Sequence, residues 1–217
     1  MKPTTPDRWA GLWRQVSAKA DPDTLYQELH ALYTQPHRHY HTLQHILECL
    51  AEFDSARELA TELLAMELAI WFHDAIYDTH AYDNEERSAE LARRRISEAA
   101  GNPALSESVG ALILSTKAHD PSLYRDAGLM VDVDLSILGK PEARIKEFEA
   151  QVRKEYEWVP EATFAAKRAE ILERFLDRKR IYTTDVFAAR YEKQARLNLA
   201  NSISNLKVRA ASSSKRS

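Results

Sequence analysis

The sequence has little of what disulfide-rich, membrane-spanning or strongly charged proteins depend on. Cys49 is its only cysteine, so no intrachain disulfide can form, and we expect a reducing compartment, the cytoplasm. No stretch approaches the length of apolar residues that a membrane span needs, and residues 1–14 lack an apolar signal core, so we expect no membrane partner. With 30 basic and 33 acidic side chains, the net charge of −3 does not indicate a surface for a nucleic-acid polymer.

Glycine and proline are also scarce, with 5 and 8 copies in 217 residues. Such a composition favours long helices over many short strands. Apolar side chains recur at helical spacing, for example at Leu43, Ile46, Leu47, Leu50 and Phe53. We therefore predict an all-α fold. One helix is expected from about Ser55 into residues 68–77, and another from Asp83 to a stop at Gly101.

The C-terminal third differs from the rest in its charge pattern. From Pro141 onward, basic and acidic side chains are balanced and interspersed, which is typical of the solvated faces of long amphipathic helices. Pro160 is expected to divide these helices, and a last helix is predicted over residues 185–206. We predict one helical domain over residues 1–209, with additional long C-terminal helices, and a disordered polar tail over residues 210–217.

The pair His73-Asp74 lies inside a continuous apolar run, residues 68–77. A helix that is apolar on every face is buried, and a buried unpaired carboxylate costs about several kcal/mol. A cationic group must therefore compensate Asp74. This pair has two interpretations. Asp74 forms a salt bridge to an arginine, or both adjacent side chains bind a metal ion.

A second buried acidic segment occurs at residues 129–138, where Asp132 and Asp134 interrupt another apolar run. Residues two apart on a helix point about 200° apart. Asp132 would then cap the helix while Asp134 points inward, and the alternative is that both side chains cap the helix start. Five histidines also cluster within residues 30–45, namely His30, His37, His39, His41 and His45.

Three separated segments thus offer imidazole and carboxylate ligands. This combination suits manganese, iron, cobalt, nickel or zinc better than calcium or magnesium. Four protein ligands on a six-coordinate ion leave two positions, one for water and one for a substrate oxygen. An ion held in this way activates water near neutral pH and neutralises charge on a phosphoryl group.

These segments resemble the HD superfamily of metal-dependent phosphohydrolases, whose pattern is a histidine, a histidine-aspartate dyad and a distant aspartate. The matching stretches are Tyr40-His-Thr-Leu-Gln-His45, Phe72-His-Asp-Ala-Ile-Tyr-Asp78, Asn84-Glu-Glu-Arg-Ser-Ala89, Asp132-Val-Asp-Leu-Ser-Ile-Leu-Gly139 and Ala195-Arg-Leu-Asn-Leu199. They span roughly residues 30–206 and are most similar to a branch of predicted bacterial HD phosphohydrolases. The resemblance implies a helical HD-type domain.

The resemblance implies that His41, His73, Asp74 and Asp134 hold one divalent transition metal ion. Helical periodicity does not choose between His41 and His45, which are one turn apart, and the His-Thr-Leu match favours His41. His119 lies between the dyad and Asp134, where some members of the superfamily place a ligand for a second metal. The lysine that some subfamilies have after the dyad is absent, which argues against activity on cyclic dinucleotides.

Four further side chains are candidates for the reaction itself. Asp78 is one turn past Asp74, where it would steer the attacking water alongside Asp74, although surface capping is an equal alternative. Arg38, Lys117 and His119 would bind phosphate, and each is equally consistent with a solvated side chain. The neighbouring pair at residues 85 and 86 is interpreted as acidic charge at a helix N-terminus.

The function that the resemblance implies is hydrolysis of a small phosphorylated substrate, a nucleotide or related phosphomonoester, by a metal-activated water. Two other classes stay open: a metal- or nucleotide-binding regulatory module without turnover, and a di-iron oxygenase, which needs additional ligands. Four intact ligand positions favour the enzyme over the regulatory module. A homodimer is also left open.

Overall fold

A computed structural model describes residues 5–17 and 21–214 of the chain. This part of the chain is made of α-helices and two short 3-10 helices and contains no strand, which confirms the all-α prediction. The α-helices are α1 (Thr5–Val16), α2 (Pro22–Tyr33), α3 (Leu43–Asp54), α4 (Leu63–Phe72), α5 (Asn84–Ala100), α6 (Pro103–Ala118), α7 (Ala127–Asp134), α8 (Glu142–Glu155), α9 (Glu161–Leu176) and α10 (Asp185–Ser214). The 3-10 helices are Arg57–Leu59 and Leu135–Gly139.

The chain divides into two compact units, Met1–Val133 and Asp134–Ser217. The single domain expected over residues 1–209 stays a prediction. None of the described helices combines the length and the apolar character that a membrane crossing requires.

Helix α4 is the centre of the first unit. Every residue from Ala65 to Phe72 is buried, as an apolar sequence without a polar face requires. Helices α1, α3, α5 and α6 all pack against it. The rings of Trp9 and Trp13 from α1 contact those of Trp71 and Phe72, with centroids 5.1 Å apart for Trp9 and Trp71. The last turn of α4 is therefore fixed in a dense aromatic cluster.

Helix α4 is shorter than the sequence predicted. We expected one helix from about Ser55 through Tyr77, but the α-helix runs only from Leu63 to Phe72. His73 donates its backbone N–H to Ala69 and ends the helical pattern. The dyad thus stands at the C-terminal end of α4, and residues 74–78 leave the helix. Contacts described below explain why the chain departs there.

The N-terminal end of α4 is held by Asp126, which lies distant in sequence. Its carboxylate accepts hydrogen bonds from the backbone N–H groups of Thr61 and Glu62, both at 2.8 Å, and from the Thr61 hydroxyl at 2.7 Å. These backbone donors precede the first turn of α4, where N–H groups have no partner within the helix. Asp126 has a φ of 63°, a left-handed conformation that aspartate tolerates better than most residues.

The second unit is built around α10. This helix packs against α9 and against the 3-10 helix Leu135–Gly139. The side-chain amide of Asn198 donates to the carbonyls of Leu138 and Lys140, and the Tyr182 hydroxyl donates to that of Leu135. Pro160 separates α8 from α9, as predicted. Helix α10 continues through Ser214, past the boundary at residue 210 expected for a disordered tail, and residues 215–217 lie outside the described residues.

Removing the Asp126 carboxylate should destabilise the first unit. We expect Asp126→Ala to lower the free energy of unfolding by about 1–2 kcal/mol, the usual cost of losing a helix N-terminal acceptor. Asp126→Asn keeps an acceptor oxygen and tolerates the left-handed backbone, so its loss should be smaller. Urea denaturation followed by circular dichroism measures both. Equal stability of Asp126→Ala and the parent chain would show that this contact contributes nothing.

Candidate metal centre

Three side chains, one from α3 and two from the residues directly after α4, bring possible ligand atoms together at the end of α4. The Nε2 atoms of His45 and His73 are 3.2 Å apart. Oδ2 of Asp74 lies 3.1 Å from Nε2 of His73 and 3.4 Å from Nε2 of His45. Among the described residues, these three form a group whose ligand atoms are mutually close enough to share one cation. We call His45, His73 and Asp74 the triad.

The hydrogen bonding of His73 determines which of its ring nitrogens faces the triad as an acceptor. Nδ1 is 3.0 Å from the carbonyl oxygen of Ile70, which can only accept, so Nδ1 must donate. In the neutral ring, Nε2 then presents its lone pair toward Oδ2 of Asp74. A ring whose other nitrogen donates to a backbone carbonyl is the usual arrangement for a metal-ligating histidine.

The three converging atoms of the triad are all able to accept a hydrogen bond. At 3.1–3.4 Å they repel one another unless a cation lies between them. That cation is either a proton shared with an imidazole or a metal ion. The residues present fit a divalent metal, because they supply two imidazoles and one carboxylate with one tautomer already fixed.

Burial differs among the members of the triad. The side chains of His45 and His73 are 2% and 1% exposed, whereas that of Asp74 is 17% exposed. Without a metal, a proton on the imidazoles is the cation that Asp74 meets. Burial raises the pKa of Asp74, but the positive charge of protonated His73 and hydrogen bonds donated by both imidazoles outweigh that effect, with a smaller contribution from His41. The net result is a pKa well below the usual range of a carboxyl, so Asp74 is ionised.

Cys49 lies against the ring of His45, one turn further along α3. Its Sγ is 3.7 Å from Nδ1 and 3.8 Å from Nε2 of His45, and 3.9 Å from the carbonyl oxygen of Val133, to which the thiol donates. The thiol therefore packs behind the His45 ring and limits its rotation.

In the structure, His45 and not His41 belongs to the group of ligand atoms at the dyad. Helix α3 begins at Leu43, so His45 is on its buried inner face while His41 precedes the helix. The ring of His41 stacks on Tyr77, with centroids 4.1 Å apart. The choice of His41 came from the His-Thr-Leu match alone, and His41 as the metal ligand stays a prediction.

The segment after the dyad is held by side chains instead of by helical hydrogen bonds. From residue 74 to residue 78, every backbone carbonyl accepts from a side chain of another segment. The donors are Arg38 to Asp74 (2.7 Å) and to Ala75 (2.8 Å), Ser88 to Ile76 (3.3 Å), His37 to Tyr77 (2.9 Å) and Asn84 to Asp78 (2.9 Å). We call residues 74–78 the clasped segment. The backbone can depart from the helix here because each of these carbonyls has a side-chain donor.

Arg38 is one of the side chains that donate to the clasped segment. It is buried, and its guanidinium donates to the carbonyls of His41, Asp74 and Ala75 as well as to the side chain of Gln35. Backbone carbonyls thus accept from the guanidinium nitrogens that would bind a phosphate. The role of Arg38 in phosphate binding stays a prediction.

Asp78 and Lys117 are both at the surface, beside the loop that connects the clasped segment to α5. The carboxylate of Asp78 accepts from the backbone N–H of His80 at 2.9 Å, and this contact lowers its pKa. This contact corresponds to the alternative of surface capping, and the catalytic role of Asp78 stays a prediction. The ammonium of Lys117 binds the carboxylate of Glu86 and donates to the carbonyl of Tyr82 at 3.0 Å.

The remaining predicted residues, His119 and Asp134, lie at the C-terminal ends of helices. His119 follows α6 in a left-handed conformation with a φ of 49°. Asp134 is the last residue of α7 and is partly buried, and the preceding Asp132 is fully buried. The roles of His119 in phosphate binding and of Asp134 as a fourth metal ligand stay predictions.

Glu85, which the sequence predicted as acidic charge at a helix N-terminus, is a further candidate for the site. It is partly buried in the first turn of α5. Burial raises the pKa of its carboxyl, and the charge of Asp74 adds to that effect, so Glu85 lies within electrostatic reach of the triad. Nothing in the sequence separates it from Glu86, which pairs with Lys117. By contrast, Asn84 and Ser88, which donate to the clasped segment, belong to residues 84–89, one of the stretches that resemble HD phosphohydrolases.

Comparisons of this chain with protein-family models, with curated proteins and with solved structures found no match. The similarity to HD phosphohydrolases thus depends on the short motifs given above. The function has to be argued from the geometry of the triad and its surroundings.

Substitution of the two candidate histidines separates the alternatives for the first ligand. We expect His45→Ala to lose bound manganese, because it removes a nitrogen 3.2 Å from Nε2 of His73. His41→Ala should keep most of the metal, and so should the exposed control His30→Ala. Elemental analysis after incubation with Mn²⁺ and desalting measures all three. Metal loss in His41→Ala with retention in His45→Ala would restore His41 as the ligand.

Proposed function

We propose that this protein is a metal-dependent phosphohydrolase of the HD type that cleaves a phosphate ester of a small molecule, with nucleotides and related phosphomonoesters as the first class to test. The observation that carries the proposal is the triad. Two imidazole nitrogens and one carboxylate oxygen converge within 3.1–3.4 Å of one another, and the His73 tautomer directs a lone pair toward that point.

The donor set favours one divalent transition metal ion. Imidazole with carboxylate suits manganese, iron, cobalt, nickel or zinc, and magnesium less, since magnesium prefers oxygen ligands and retained water. Asp134 is the proposed fourth ligand. When bound, such an ion supplies Lewis acidity, which activates water near neutral pH and neutralises charge on a phosphoryl group.

The protein side chains define how substrate reaches this centre. His45 and His73 are buried and shield the triad from solvent on one side. Asp74 has appreciable exposure, so water and substrate approach along its carboxylate, which orients the attacking water. Glu85, whose pKa is raised by burial and by Asp74, is the proposed acceptor of a proton from that water.

Lys117 is the proposed phosphate-binding cation. Its present partner Glu86 is about as exposed as the lysine itself, with 46% and 42% of their side chains accessible. An exposed ion pair of this kind contributes little stability, so a substrate phosphate can replace the Glu86 carboxylate at low cost.

A hydrolysis screen tests the proposed reaction. Nucleotides and sugar phosphates would be incubated with the protein and each of Mn²⁺, Fe²⁺, Co²⁺, Ni²⁺, Zn²⁺ and Mg²⁺, and released phosphate measured. Tight metal binding without turnover of any substrate would favour the regulatory module. Two irons per chain with oxygen consumption would favour the oxygenase.

Removing the Asp74 carboxylate should eliminate both metal binding and hydrolysis. We expect Asp74→Ala to lose the metal and to lower kcat/KM by at least about a thousandfold, since the metal ion and the orienting carboxylate are lost together. The helical circular dichroism spectrum should persist. Asp78→Ala is the matched control, because that carboxylate is exposed and contacts His80. Metal content in Asp74→Ala equal to the parent would refute the triad as the metal site.

The proposed role of Lys117 predicts a change in KM alone. Lys117→Ala should raise KM by about tenfold, the order expected for one charge-assisted hydrogen bond, with kcat and metal content unchanged. Glu86→Gln frees the lysine and should lower KM. An unchanged KM in both variants would leave Lys117 as a surface residue.

A further inference from the structure

Arg38 occupies a position that links the two halves of the triad. It lies in the loop before α3, and 5% of its surface is exposed. Its guanidinium lies over the rings of Tyr33 and Tyr77, at 5.1 Å and 5.5 Å from their centroids. Burial and these two ring contacts restrict the orientation of the guanidinium, and so the directions in which its N–H groups point.

The hydrogen bonds of Arg38 join two segments that each carry a triad member. One nitrogen, Nη1, donates both to the carbonyl of His41 at 2.9 Å and to that of Asp74 at 2.7 Å. The other, Nη2, donates to the carbonyl of Ala75 at 2.8 Å. His41 leads directly into α3, which carries His45, and Asp74 and Ala75 belong to the clasped segment.

We infer that Arg38 is a positioning residue, which sets the separation between His45 and the His73-Asp74 dyad and thereby determines metal affinity. This inference rests on the proposed metal site. The Tyr33 hydroxyl, which donates to the carbonyl of Trp71 at 2.9 Å, holds the last turn of α4 in the same way. Without Arg38, the carbonyls of Asp74 and Ala75 lose the cationic donor that replaces their helical hydrogen bonds.

A lysine cannot perform this task. Its ammonium is a single point on a flexible stem, whereas the three carbonyls are met by two nitrogens of one rigid plane. Arg38→Lys preserves charge and apolar stem, so it isolates the geometry. Arg196 provides a matched control in the second unit, since its guanidinium likewise donates to several backbone carbonyls, those of Leu176, Arg178 and Lys179.

The principal experiment titrates the full-length parent chain, Arg38→Lys and Arg196→Lys with Co²⁺, whose absorption spectrum reports coordination. We expect Arg38→Lys to raise the Kd for Co²⁺ by about 10- to 100-fold, the usual effect of losing a residue that orients metal ligands. Arg196→Lys should leave the Kd within twofold. An unchanged Kd in Arg38→Lys, with a raised KM for a phosphate ester, would overturn the inference and return Arg38 to substrate binding.

A second measurement needs no metal. Amide hydrogen exchange should accelerate in residues 74–78 of Arg38→Lys and stay unchanged there in Arg196→Lys. If the parent chain binds no Co²⁺ but this acceleration is seen, the proposed function fails and the positioning of the dyad by Arg38 stands. If exchange in residues 74–78 is unchanged, the inference is wrong whether or not the metal binds.

Gln35→Ala keeps the inference testable if Arg38→Lys fails to fold. Gln35 accepts from Nε of Arg38 at 3.2 Å and is only partly buried, so its removal loosens the guanidinium while retaining all three carbonyl contacts. We expect a smaller rise in the Kd for Co²⁺, about threefold, with the same region of faster exchange. Parental Kd and parental exchange in Gln35→Ala would overturn the inference.

Discussion

A carboxylate at the C-terminal end of a buried helix is the constraint on which the rest of this site depends. The carbonyl dipoles of α4 give that end negative character, and Asp74 adds a full negative charge there. Water solvates them only in part, because α4 is buried from Ala65 onward and the Asp74 side chain is 17% exposed. Positive charge relieves the combination, and two imidazoles that can hold a cation between them lie 3.1 Å and 3.4 Å from Asp74.

The same constraint explains why the chain leaves the helix at His73. A further helical turn would direct the carbonyls of residues 74–78 along the helix axis. Instead each of them meets a side-chain donor, and the strongest contacts come from the guanidinium of Arg38. A cationic donor at this point offsets the helix dipole and satisfies two carbonyls at once. The irregular backbone is therefore the consequence of a long-range contact, and no local propensity of residues 74–78 encodes it.

Sequence patterns predicted those parts of the structure that depend on neighbours along the chain. The all-α fold, the end of α5 at Gly101 and the division at Pro160 all follow from local spacing and from glycine and proline. The burial of the dyad followed from the apolar run around it. The choice between His41 and His45 could not be predicted in this way, because it depends on α3 beginning at Leu43, and the resemblance pointed to the residue outside the helix.

The partners of charged residues near the site could not be predicted for a related reason. The sequence shows a cation close to candidate ligands, but not the backbone carbonyls to which it donates in the folded chain. Arg38 is the clearest case, since its donors serve three carbonyls. Asn84 and Ser88 are the converse, because they look like ordinary polar residues of α5 and nevertheless hold the segment that carries Asp74.

Helix α4 is thus fixed at both ends by residues distant in sequence. Asp126 accepts from the N–H groups that precede its first turn, and Tyr33 and Arg38 donate to the carbonyls at and beyond its end. Movement of α4 along its axis would break hydrogen bonds at both of its ends. Movement of the dyad relative to His45 is then limited to side-chain rotation, which the Ile70 contact restricts for His73 and the Cys49 thiol restricts for His45. Such preorganisation keeps the donor atoms convergent and reduces the entropy lost when a cation is bound.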